Sequence, residues 1–140
     1  MIEDQIQRFE QRMWEMFEST RELKGVMSLP GVGFILGVVI ISEAGDRGRF
    51  QSAVSFASYA GITSRVHGSG GKIRHSQIRS DVNRYLKWAF IETANTVCLN
   101  RRRHPYHHAS RLYERIRDKR GHQKAIGAVA RHLAEATYWS

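Results

Sequence analysis

Ser69 stands between Gly68 and Gly70, inside the run Arg65-Val66-His67-Gly68-Ser69-Gly70-Gly71-Lys72-Ile73-Arg74-His75. With no side chain on either neighbour, a bulky phosphodiester can approach the hydroxyl, which makes it a candidate nucleophile. Arg65, His67, Lys72, Arg74, His75 and Arg79 surround it in sequence and can hold phosphate oxygens or offset transition-state charge. Gly70 and Gly71 fit a backbone nest for the same phosphate. On chemistry alone this is a phosphate-loop candidate, because a serine between glycines is more often a flexible linker residue.

A second candidate is Leu29-Pro30-Gly31-Val32-Gly33. Pro30 ends what precedes it, while Gly31 and Gly33 allow close backbone approach. The order helix, L-P-G-V-G, helix is that of a helix-hairpin-helix element, whose N–H groups at a helix start face a phosphate; the plainer reading is a simple helix connection. Asn83 and Arg84 complete the candidate nucleic-acid contacts. The arginine run 101–103 reads equally as a solvated helix end or a phosphate clamp. His104, His107 and His108 invite a zinc reading, yet they lack cysteine partners and i, i+4 pairing with a carboxylate, so surface groups beside phosphate are expected. Asp46, Asp81, Glu92 and Asp118 are scattered and form no two-metal cluster, so these residues are expected to bind no metal themselves.

These residues must be positioned by helices. Ile2, Phe9, Met16 and Leu23 share one heptad position and Ile6, Met13, Thr20 and Met27 another, so residues 1–27 are expected to form a coiled-coil helix that pairs two copies of the chain. The alternative is a helix folded back on its own domain. Residues 28–140 are expected to form one helical domain, with helices over 33–43, 52–60, 79–99, 106–119 and 122–138 and a glycine-rich basic loop near 62–77. Val82, Leu86, Ala89, Phe90, Thr93 and Val97 mark the buried side of the 79–99 helix. Trp14, Trp88 and Trp139 read as core or interface anchors, and Cys98 as a small buried hydrophobe. The fold class is therefore all-α.

The chain has 140 residues, 41% of them hydrophobic, which suffices for one modest core. Its formal charge is +9 and its pI about 10.3, so polyanions, nucleic acid first, are the expected partners. The longest apolar run, 34–41, is too short to span a membrane, so no membrane partner is expected. A lone cysteine excludes an internal disulfide and suits a reducing cytosol.

Five segments follow one another in a telling order: L-P-G-V-G (29–33), E-A-G-D-x-x-R-F (43–50), S-Y-A-G-I (58–62), H-G-S-G-G-K-I-R (67–74) and N-R-Y-L-K-W-A (83–89). Together they resemble the C-terminal transposase domain of the bridge-RNA-guided serine recombinases of bacterial insertion sequences, over residues 29–139. The resemblance implies that Ser69 attacks a DNA phosphate to give a transient phosphoserine, and that a guide RNA pairs with donor and target DNA. It also implies an N-terminal RuvC-like domain whose acidic residues hold Mg2+, joined through a coiled coil. Such a domain is expected to be missing from these 140 residues, which would then bind DNA without cutting it. A cytoplasmic, nucleoid-associated bacterial location follows from the same resemblance. The chain departs from the family in Val82-Asn83, where a glycine-asparagine pair is usual, and in Thr63 and Ser64, where a proline is usual. Two other readings remain: a stand-alone helix-hairpin-helix protein, and a dimerising remnant of a decayed element.

Overall fold

The computed structural model describes residues 1–17, 21–62 and 82–140. Among these the structure is all-helical, as expected, with seven α-helices: α1 (Ile2–Phe17), α2 (Arg21–Met27), α3 (Phe34–Ala44), α4 (Ala53–Tyr59), α5 (Arg84–Asn100), α6 (His108–Arg120) and α7 (His122–Trp139). A single 3-10 turn, Arg47–Arg49, lies between α3 and α4. Helix α4 starts where the Ser52 hydroxyl accepts from the Ser55 N–H, a standard N-cap. Gly121 separates α6 from α7 with a positive φ of 94°. No helix among the described residues is long and apolar enough to cross a membrane.

The core forms where α7 packs on α4, α5 and α6, while α3 lies against α2 and α5. The expected inward face of α5 is realised from Leu86 onward: Leu86, Ala89, Phe90, Thr93 and Val97 are all buried, while Val82 precedes the helix and is half-buried. Phe56 of α4 and Phe90 of α5 are fully buried and meet edge to face at 6.1 Å between centroids. Each contributes roughly 2–3 kcal/mol through the apolar surface it removes from water. The two buried threonine hydroxyls cost little, because Thr93 donates to the Ala89 carbonyl and Thr137 to that of Leu133. Cys98 is half-buried against this core.

Two placements refine the expectations. Leu23, placed on the heptad stripe, is buried with Val26 in α2, so the stripe changes role along its length. Ile2, Ile6, Phe9 and Met16 on α1 remain exposed. The three tryptophans are also outside the core: Trp14, Trp88 and Trp139 are 45%, 50% and 76% exposed. Trp14 meets Phe34 edge to face at 4.9 Å, which seats α1 on α3; among the described residues Trp139 meets only its neighbour Tyr138 in this way.

Candidate nucleic-acid interface

The connection between α2 and α3 is shaped by Gly31, whose φ is +81°. A Cβ there would lie 2.9 Å from the Thr93 carbonyl oxygen of α5, so only glycine lets the turn lie this close to that helix. Gly33 does something different. It is the N-cap of α3, without a side-chain capping bond, and a Cβ on it would meet nothing within 4 Å. The turn forms one wall of a groove of about 440 Å³ whose other wall includes Asn100, His104, His107 and Ser110. The His104 and His107 rings stack at 4.7 Å with their planes 5° apart. Both residues were foreseen as surface groups, but their place opposite the glycine turn was not; no short-range pattern links positions 31 and 107.

A second set of motif residues gathers around Asn83. Its Oδ1 accepts from the Tyr85 and Leu86 N–H groups, both at 3.0 Å, and so caps α5. Its Nδ2 donates to Glu43 Oε1 at 2.9 Å and to the Tyr59 hydroxyl at 3.2 Å. This cap is why α5 begins at Arg84 instead of near 79, and the asparagine before an apolar helical run was the signal for it. The hydrogen bond from Asn83 and, after it, the Arg49 guanidinium hold the Tyr59 phenol below its ordinary pKa by favouring the phenolate. Arg49 also donates to the Ala44 carbonyl at 3.1 Å and lies over the Phe50 ring. Thus Glu43, Arg49, Phe50, Tyr59 and Asn83, from three of the five sequence segments, pack as one unit.

That unit joins positions 62 and 82 in space. The Asn83 N–H donates to the Tyr59 carbonyl at 2.8 Å. Gly61, at φ +75°, lies so near Val82 that a Cβ on it would come to 2.7 Å from Val82 Cγ1. Ser69, Arg65, His67, Gly70, Gly71, Lys72, Arg74, His75 and Arg79 fall between these positions and lie outside the described residues. Of the other expected contacts, Gly33 is at the groove, Gly31 is turned into the fold, Asn83 is engaged with protein groups, and Arg84 is exposed at the start of α5.

The arginine run divides. Arg101 pairs with Glu114 at 2.9 Å, donates to the Cys98 carbonyl at 2.7 Å and lies over the Tyr113 ring, so it braces α5 against α6. Arg102 and Arg103 are exposed. His108 is beside His132 of α7, with ring centroids 4.7 Å apart. Burial first, and the facing His108 second, lower the His132 pKa. Among the described residues carboxylates do not converge: the Asp46 carboxylate accepts from Gly48 N, that of Asp118 pairs with Arg117, and Glu92 is on α5, while Asp81 lies outside the described residues. A pair of divalent ions does not fit these described residues.

The profile of the IS116/IS110/IS902 transposase family matches residues 23–111, more than half of the chain. The chain belongs to this transposase family. Among its relatives, the pilin gene-inverting protein of Moraxella bovis is 30% identical over 96% of this chain and 42% of that protein. A protein of insertion element IS110 from Streptomyces coelicolor is 34% identical over 74% of this chain and 25% of its own length. A probable family 20 transposase of Pseudomonas aeruginosa is 26% identical over 71% of this chain and 30% of that protein. The transposase-family chain thus spans less than half the length of the curated relatives it matches. No solved structure matches it.

Proposed function

We propose that this chain is the DNA-binding, nucleophile-bearing part of an insertion-sequence transposase, with Ser69 as the attacking group. The observation that carries the reading is family membership across residues 23–111, an interval that includes the glycine turn, the Asn83 unit and Ser69. The relative named for pilin gene inversion supports DNA rearrangement as the reaction class, and a net charge of +9 supports a polyanionic substrate. In the proposed reaction the Ser69 oxygen attacks a backbone phosphorus, loses its proton, and displaces one deoxyribose oxygen. The resulting phosphoserine is resolved when a second deoxyribose hydroxyl attacks and the serine oxygen leaves. Arg65, His67, Lys72, Arg74, His75, Arg79 and Arg84 hold neighbouring phosphates, and Gly31, Gly33, Gly70 and Gly71 offer backbone N–H groups, the first pair as a helix-hairpin-helix element. Asn83 positions this chemistry by joining the two ends of the segment that bears it. Mg2+ belongs to a RuvC-like domain outside these residues, and a guide RNA that selects the sites is part of the same proposal. Residues 1–27 dimerise, and 28–140 form the DNA-contacting domain.

The test uses the 140-residue chain with duplex DNA, and then with supercoiled plasmid and Mg2+. It is expected to shift the duplex at micromolar concentration in a salt-dependent manner, and to leave the plasmid intact. Absence of any binding at low salt refutes the DNA-binding reading. Nicking that Ser69→Ala abolishes would show that the chain is catalytically complete, against the proposal.

A further inference from the structure

Gly33 opens α3, an 11-residue helix, with no side chain bonded to its first N–H groups, and an uncapped helix start attracts anions. Across the groove, Ser110 is only 4% exposed, and its hydroxyl has no hydrogen bond to any described residue although the residue lines the groove. A buried hydroxyl without a partner among the described residues is uncommon and points to something else that occupies the space beside it. His104 and His107 complete that wall. Their rings are 5° from parallel, so the in-plane nitrogen lone pairs run side by side and do not converge on one point, which disfavours a shared metal ion.

We propose that this groove seats one backbone phosphate of a DNA strand, held between the start of α3 and the His104, His107 and Ser110 side chains. The inference rests on the DNA-binding reading and adds a wall of contacts to it. Charge favours a phosphate. No residue lining the groove is acidic, and none of those from the turn or from α5 is ionisable. On the histidines' own segment Arg101 is tied to Glu114, while Arg102 and Arg103 are exposed and available to the adjoining phosphates. From α6, His108 faces His132 and Arg111 is exposed. Each imidazole ring can offer an N–H donor to a phosphate oxygen.

Fluorescence anisotropy with a labelled duplex of about 20 base pairs tests this. The double variant His104→Gln, His107→Gln should weaken binding roughly tenfold, and Ser110→Ala about threefold. His104 and His107 are exposed, so their replacement leaves the core intact. In parallel, the imidazole nitrogen resonances of both histidines should shift when DNA is added. A double variant with unchanged affinity, or unshifted resonances, overturns the inference while leaving the DNA-binding reading in place. A parent chain that binds no DNA overturns both.

Discussion

Asn83 shows how much one side chain can organise. It caps α5 through two backbone N–H groups and reaches Glu43 and Tyr59 with its amide. Asn83→Ala removes a helix cap worth about 1 kcal/mol and leaves the tyrosine and carboxylate without their common donor, so a total loss of about 2–3 kcal/mol is expected in urea unfolding. Asn83→Asp keeps the cap acceptor but sets a carboxylate against Glu43. Its loss should be smaller than that of Asn83→Ala at acidic pH, where one of the two carboxyls takes up a proton. Equal midpoints for the parent and the alanine variant would show that the unit contributes nothing to the fold.

Helices α6 and α7 pack extensively on each other, and His108 and His132 face each other across that contact. Burial, followed by the nearby His108, holds His132 below the usual imidazole value of 6.5. The unfolded chain accepts a proton there before the folded chain does. Stability is therefore fully present above about pH 6.5 and is lost as pH falls through the lowered folded value. Thermal unfolding followed by circular dichroism between about pH 7.5 and pH 5 should show a decline that His132→Gln flattens. Identical slopes would place the acid sensitivity elsewhere. At this scale the sequence was informative where periodicity and punctuation agree. The 33–43 run became Phe34–Ala44, the 52–60 run Ala53–Tyr59, and Gly121 separates the last two helices. It was less informative where a distant contact decides. Nothing near Asn83 announced Glu43, and nothing near His107 announced the glycine turn, because those encounters depend on how α3 and α5 pack. The tryptophans, read as core or interface anchors, lie outside the core, because a large apolar ring is covered only if another element packs on it, and composition does not say which rings are covered.

At the scale of the whole molecule, several apolar residues of α1 are among those the core leaves in solvent. Ile2, Ile6, Phe9 and Met16 are between 52% and 70% exposed, at the spacing of a coiled-coil seam. Helix α1 has 16 residues, a length at which an isolated helix is marginal in water, and Trp14 on Phe34 supplies a ring contact with the domain. A second copy of the chain lying along the same seam would bury these side chains and stabilise both helices. Sedimentation equilibrium at micromolar concentration should accordingly report about twice the chain mass. Replacing Ile6 and Phe9 together by Glu should shift the mass toward the monomer while leaving the α2–α7 core folded, since neither residue is part of that core. A parent chain that sediments as a monomer throughout the range would eliminate dimerisation through α1, and the exposed seam would then need a different partner.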